Sequence, residues 1–529
     1  MSGSFTLVDW GVVVAYFAGI AVVGAIASRR GSGSAKDFFL ASRSVPSWLA
    51  AISVLATTQS AATFLGGPDY GYRGDFTYLS TCVGALLAAF VVARLLMPRF
   101  YAQGVGTVYE LLGHRYGPRA MRASGLMFVV GRILAGGARL YLAAVATSMI
   151  VFNDVGGLGV LSAAAVLVLA SFLFTFHGGL RSIVWVDLVQ FTIYAVAAFT
   201  LLALLYSKIP VPFSQVIHGL ASPPDGHDKL RLFDFSWALD RPFALPAMLV
   251  GGTLLYVGNF GLDQDTTQRL LACKDARAGA RGLYLSVLAT VPVVAVFIAI
   301  GSLLYVVYGR PDLMGGVVLK GPAANKAADV SIFMHFILSQ VPPGLRGLAC
   351  AGVLATAIGT TMSALNAMSS VLVQDFYRPW KSRTATVPEI HYVLAGRVGM
   401  GLTGLATMGV AVLSFYWQHY TNMPLIEFVL SVMNFAYAGL LGVYFAVLFT
   451  NRGSANSAVA ALVMGFCVIL LLQPYVADHL DLPAVFRRMA FPWQLCLGTL
   501  VSFLTCVTVR PRKPGFEPAS SLLGVLNAN

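Results

Sequence analysis

Oxygen-bearing side chains gather in three stretches of this chain that are otherwise apolar, the arrangement that can hold a small hard cation stripped of its water. The first is Ala56-Thr57-Thr58-Gln59-Ser60-Ala61-Ala62-Thr63, followed at once by the helix breakers of Phe64-Leu65-Gly66-Gly67-Pro68. The second runs from Gly251-Gly252-Thr253 to Asn259-Phe260-Gly261-Leu262-Asp263-Gln264-Asp265. The third is Ala355-Thr356-Ala357-Ile358-Gly359-Thr360-Thr361-Met362-Ser363-Ala364-Leu365-Asn366, with hydroxyls at helical spacing. In hydrocarbon such residues open a helix and aim freed carbonyls at a ligand, or they let helices pack closely with each hydroxyl bonded to its own backbone. Taken singly, the first and third stretches fit either role.

Two arginines bring a second chemistry. Arg132 and Arg139 are seven residues apart, so a helix puts both on one face, about 10 Å apart along its axis. A guanidinium near mid-membrane cannot easily reach either surface and needs an anion: a protein carboxylate such as Asp263, Asp265 or Glu427, the exposed carbonyls of a broken helix, or an anionic solute. The sequence contains no HExxH, phosphate-binding loop, nucleophile elbow or zinc spacing, so an enzymatic reading has no anchor.

The elements that must position these residues are membrane helices. A chain of 529 residues that is 57% hydrophobic and 11% charged has more apolar side chain than a soluble globule can hide. Segments of about 20 apolar residues recur between short charged loops. They give about thirteen expected spans, with the three polar stretches in those from Pro46 to Gly66, from Leu245 to Asp265 and from Gly347 to Leu372, and both arginines in the one from Arg122 to Val151. The formal charge of +13 gathers in loops on one side, which points to topology and not to a nucleic-acid partner. Roughly 20 Lys and Arg fall inside and about 11 outside when the N-terminus is external and the C-terminus cytoplasmic.

The expected organisation is a first helix and loop over residues 1–45, five helices over 46–206, an extracytoplasmic loop over 207–244, five helices over 245–450, two more over 451–510 and a cytoplasmic tail over 511–529. Two broken, polar spans five helices apart are what an inverted repeat of five plus five helices predicts, with the ligand held between them at mid-membrane.

Landmarks in order along the chain carry a resemblance. They are Phe38-Phe39-Leu40-Ala41-Ser42-Arg43, Gly178-Gly179-Leu180-Arg181 with Trp185-Val186-Asp187, Asp263-Gln264 with Gln268-Arg269, Ser363-Ala364-Leu365-Asn366 with Asp375-Phe376-Tyr377, and Leu440-Leu441-Gly442-Val443-Tyr444. From about Asp37 to Gly465 the chain resembles the sodium/solute symporter family. The resemblance implies an all-α LeuT-type inverted-repeat fold and sodium as coupling ion, held by carbonyls and hydroxyls at Ala56, Gln59, Thr356, Gly359 and Thr360. Asp187 matches the family's carboxylate near the ion's inward exit, or pairs with Arg181 at a helix end. Gly359 departs from the family, which usually has a serine there, so one ligand is missing unless another group supplies it; a serine at 359 is expected to complete the shell.

The implied activity is sodium-coupled symport of a small organic solute into the cell by alternating access, with Thr58, Thr63, Arg139, Asn259 and Asp263 as candidate solute contacts. A carboxylate on the solute would answer Arg139. The alternatives are proton coupling, which Gly359 leaves open, and a non-transporting sensor with the same fold. The expected setting is the plasma membrane, as a monomer in the lipid bilayer.

Overall fold

The computed structural model describes residues 5–29, 34–152, 156–224, 226–316, 332–421 and 425–509, so the expected tail over 511–529 lies outside the described residues. Among these residues ten helices are long and apolar enough to cross a membrane, eleven if one bent pair counts as a single span. Two apolar helices of 17 residues, Ala455–Leu471 and Phe491–Val507, complete the set. They fall a little short of the roughly 20 residues of a full crossing, so thirteen spans is an approximate count.

The elements that matter to the site are α1 (Leu7–Ser28), α2 (Ala35–Leu40), α3 (Ser47–Thr58), α4 (Ala61–Arg73), α5 (Thr77–Ala102), α6 (Pro118–Phe152), α7 (Gly157–Phe176) and α8 (Gly178–Ser207). After the outer loop come α9 (Leu245–Leu262), α10 (Gln264–Leu271), α11 (Ala276–Gly309), α12 (Ile332–Gln340), α13 (Leu345–Lys381), α14 (Glu389–Thr421) and α15 (Leu425–Phe449). The most apolar part of α13 is 94% buried inside the protein and that of α15 89%, against 17% for α1. Helices α13 and α15 therefore form the centre, while α1 offers most of its surface to lipid. A span wholly inside the protein has no lipid to satisfy, which is why α13 tolerates so many small and hydroxyl residues.

The second expected span is longer than Pro46 to Gly66 and breaks elsewhere. Helix α3 stops at Thr58, Gln59 is extended, and α4 starts at Ala61 at an angle of 64°. Ser60 makes this possible by accepting the Ala62 N–H at its hydroxyl, 3.2 Å away, as an N-cap. The Gly66-Gly67-Pro68 run does not break α4, which continues to Arg73. Its glycines serve close packing, since a Cβ on Gly71 would meet the Ile298 carbonyl of α11 and one on Gly66 the Ile426 side chain of α15.

The second break is at Asp263, where α9 passes into α10. The two breaks have nearly the same backbone: φ −83° and ψ 109° at Gln59, φ −86° and ψ 113° at Asp263. Both are followed by a side chain that caps the next helix, Ser60 in one case and Asp263 itself in the other. A third interruption, at Gly179 in the first turn of α8, has φ 54° and ψ −152°, a conformation open only to glycine, and a Cβ there would meet the Phe38 carbonyl of α2.

Long connections close over one end of the bundle, the one expected to face outward. Lys229 of the loop between α8 and α9 is buried and donates to the carbonyls of Tyr72 and Gly74 at 2.9 and 3.0 Å, holding the end of α4. Helix α12 is buried through Phe333 and Phe336, with the Phe333 ring 5.5 Å from that of Phe64 on α4.

Candidate functional site

The end of α3 leaves carbonyls without helical donors. The Gln59 N–H still reaches the Leu55 carbonyl at 2.9 Å, but the carbonyls of Ala56, Thr57 and Thr58 have lost the N–H groups that a continuous helix would have given them. Around this break lie two cavities, and Gln59 lines both.

The larger cavity encloses about 70 Å³. Thr58, Gln59 and Thr63 border it from the first break, Asn259 and Phe260 from the second, and Arg139 from α6; Tyr78, Tyr256 and Met433 close it with aromatic and thioether surface. Four of the five expected solute contacts, Thr58, Thr63, Arg139 and Asn259, thus face one space. Asp263 is not among the lining residues. Its Oδ1 accepts the Asp265 N–H at 3.0 Å, and its Oδ2 accepts from Arg132 at 3.3 Å and from the Tyr437 hydroxyl at 2.7 Å. With three donors on it and no place among the lining residues, this carboxylate shapes the break.

The two arginines separate sharply. Arg132 bonds Asp263 and Asp265, and its side chain is 3% exposed. Arg139, one heptad on, is also buried, yet among the described residues it makes no ion pair. Its Nη2 reaches the Met433 sulfur at 3.2 Å, a weak acceptor, and its Nε has no hydrogen-bond partner. The available acids have gone to the other arginine, and the half-buried Glu427 sits on the first turn of α15 without pairing to it. A buried guanidinium that borders a cavity without a carboxylate partner has the charge and the donors to receive an anion.

The second cavity is of water size, about 10 Å³, and is lined by Ala56, Gln59, Thr356 and Gly359 together with Gln190 and Tyr194 of α8. Four of the five residues expected to hold sodium meet here. Thr360 is turned away: its hydroxyl donates to the Thr356 carbonyl at 2.8 Å and it lines a third small space beside Arg132 and Arg139. Its place on α13, one position round from Gly359, puts it between the cation cavity and the arginines.

Gln190 is the residue that sequence reasoning missed. Its Nε2 donates to the Tyr16 hydroxyl at 3.3 Å, and its buried Oε1 has no partner. A Cβ at Gly359 would run into that same oxygen. The amide carbonyl therefore stands against the Cβ that a serine at 359 would add, so a serine there requires the Gln190 side chain to move aside. The sequence did carry a signal, because Gln190 follows Asp187 by three residues on one face of an apolar helix.

Asp187 lies next to this cavity, with its Oδ1 nearest Gly359 among its atoms. It does not pair with Arg181, which bonds Asp37 at 3.1 Å instead. Asp187 accepts from the Ser53 hydroxyl and from Arg269 at 3.5 Å, while Arg269 also holds Asp265 at 2.9 Å, the Ser53 hydroxyl at 2.8 Å and the Ser363 hydroxyl. Arg132 and Arg269 thus face Asp187, Asp263 and Asp265. Asp187 has the longest of these contacts and shares Arg269 with Asp265, so it is the least closely paired of the three carboxylates and lies beside the space at Gly359.

The profile of the sodium:solute symporter family matches residues 38–465. The chain belongs to that family. A sodium/sialic acid symporter of Aliivibrio fischeri is 26% identical over 475 residues, covering 89% of this chain and 88% of that protein. Sodium-coupled monocarboxylate transporter 1 of Xenopus laevis is 25% identical over 481 residues, 88% of this chain and 72% of the relative. Among solved structures, a substrate-bound outward-open sodium-coupled sialic acid symporter superposes with a TM-score of 0.79 at 21% identity, covering 95% of this chain and 98% of that one. The fold is accordingly the LeuT-type inverted repeat, and this symporter is a multi-pass membrane protein that couples a small solute to sodium.

Proposed function

We propose that this symporter carries a small carboxylate-bearing anion into the cell with sodium, the carboxylate on Arg139 and the sodium between Ala56, Gln59, Thr356, Gly359 and Gln190. The observation that carries the reading is the contrast between Arg132, ion-paired with two protein carboxylates, and Arg139, which makes no ion pair among the described residues and borders the larger cavity. Thr58, Thr63 and Asn259 supply polar contacts to the rest of the solute, and Tyr78, Tyr256 and Phe260 bound a short apolar body. Asp263 acts through Arg132 and Tyr437 as a positioning residue. Thr360, bonded to its own helix, transmits between the two sites. Asp187 neutralises the ion and receives it on its way inward. Relatives whose names include sialic acid and monocarboxylates support the choice, since both solutes carry a carboxylate.

The repeats are assigned to residues 46–206 and 245–450, which rock about the two breaks to expose the site alternately. The positive residues of the loops favour an external N-terminus and a cytoplasmic C-terminus in the plasma membrane, and one chain contains every residue of the site, which favours a working monomer in the lipid bilayer.

The test compares Arg139→Gln, Arg139→Lys and Arg132→Gln for folded yield and for binding of short radiolabelled carboxylates. Arg139→Gln is expected to fold normally and lose binding, with Arg139→Lys less impaired because it keeps the charge without the fork. Arg132→Gln leaves Asp263 without its cationic partner and Asp265 with Arg269 alone, and is expected to lose folded protein, at a cost of about 3 to 5 kcal/mol. Unchanged binding in Arg139→Gln, or loss of its folded yield, contradicts the assignment.

A further inference from the structure

We infer that the cytoplasmic half of α13 holds a second, transient cation station, made by Asn366 and Ser370, through which the ion leaves for the cell interior. The inference rests on the sodium site proposed above. Gly359, Ser363, Asn366 and Ser370 are spaced by four, three and four residues, so they form one stripe along the helix. The stripe starts at the cation cavity, where Gly359 faces Gln190, and passes Ser363, whose hydroxyl accepts from Arg269. Beyond that point both amide atoms of Asn366 and the hydroxyl of Ser370 are buried without a hydrogen-bond partner, each residue being 1% exposed.

Other hydroxyls on the same helix behave differently. Thr356, Thr360 and Thr361 bond their own helix at 2.8 Å, and Ser369 crosses to the Gly396 carbonyl of α14 at 2.6 Å. Burying an amide and a hydroxyl with no partner is costly in a protein that never opens there. In a symporter the inner half must open, and these groups then meet water and the departing ion. An amide oxygen and a hydroxyl are hard donors suited to sodium, and a step of four residues is about 6 Å along the axis, a short jump between partial shells.

Arg269 stands at the junction. It ties α10 to α3 through Ser53, to α8 through Asp187 and to α13 through Ser363, so its guanidinium bars the stripe while the inner side is closed. Movement of α3 and α10 away from α13 takes that positive charge with it and opens the route.

Cysteine accessibility tests this. Starting from a transport-active chain whose six native cysteines have been replaced, Asn366→Cys, Ser370→Cys and, as the off-stripe control, Ser369→Cys are exposed to a membrane-impermeant cationic methanethiosulfonate from either side of vesicles. The expected result is modification of the first two from the cytoplasmic side in sodium-free buffer, slowed about tenfold or more by saturating sodium, with none from outside and none at Ser369→Cys. Asn366→Leu, which keeps the bulk without oxygen, is expected to lower the maximal uptake rate about tenfold with the sodium concentration for half-maximal uptake unchanged. No cytoplasmic modification in any ion condition, equal modification of the control, modification that ignores sodium, or a normal uptake rate in Asn366→Leu overturns the inference. Failure of the underlying sodium site reads out separately, as solute uptake by the unsubstituted symporter that does not respond to sodium.

Discussion

At the scale of single residues, the exchange between Gly359 and Gln190 is the sharpest local test. Gly359→Ser introduces a Cβ where the Gln190 oxygen stands, so it is expected to weaken sodium dependence, and Gln190→Ala removes a ligand and does the same. The double substitution gives the serine room and is expected to recover most of the loss. Half-maximal sodium concentrations for uptake measure all three; a tenfold shift corresponds to about 1.4 kcal/mol, a reasonable share for one oxygen of a small shell. Single effects that merely add in the double variant contradict the exchange. Hydroxyls in an apolar span suggested cation chemistry in the sequence, and the family pattern supplied the ligand positions proposed above. What sequence spacing does not fix is which neighbour fills a vacancy, because Gln190 reaches Gly359 across a helix interface. The fate of Arg132 and Arg139 was undetermined for the same reason: three acids were available to two arginines, and only packing decides that Asp263 and Asp265 both turn to Arg132.

At the scale of elements, polar residues marked which spans would break but glycine and proline misplaced one break. Gly66, Gly67 and Pro68 read as breakers, yet α4 runs through them because glycines on its faces admit α11 and α15 at close range, and the helix opens at Gln59 where Ser60 offers a cap. Break and cap are separate signals, and the cap proved the better guide. Gly179 is the reverse case, a glycine whose positive φ is required. Gly179→Ala must hold alanine in a glycine-only conformation with its Cβ against the Phe38 carbonyl, at a cost of about 1 to 3 kcal/mol. Its thermal unfolding in detergent is expected to come several degrees lower, and an unchanged midpoint would show that α7 and α8 can join without that turn. The near-identical dihedrals at Gln59 and Asp263 are the repeat made visible in two residues. One break offers carbonyls to a cation, while the other places a carboxylate that fixes Arg132.

At the scale of the whole molecule, composition alone made the membrane fold legible, while charge bias gave only an orientation to be tested. A reporter fused after Lys36 is expected to read cytoplasmic and a tag after Asp225 external; both on one side would overturn that orientation. Function rests on the two sites touching. Gln59 lines both cavities, and Thr360 lies between Thr356 of the proposed cation site and Arg139 of the proposed anion site. One sodium with one monoanion moves no net charge, so a tenfold sodium gradient alone supplies about 1.4 kcal/mol, enough for about tenfold accumulation. Coupling then requires that each ligand favour the other, and linkage makes that effect reciprocal. The direct measurement is equilibrium binding of a radiolabelled short monocarboxylate to the purified symporter over a range of sodium concentrations, with Arg139→Gln alongside. The account predicts an affinity that rises about tenfold or more from sodium-free to saturating sodium and no saturable binding in Arg139→Gln; an affinity indifferent to sodium, or an Arg139→Gln protein that binds as well as the unsubstituted one, would contradict it.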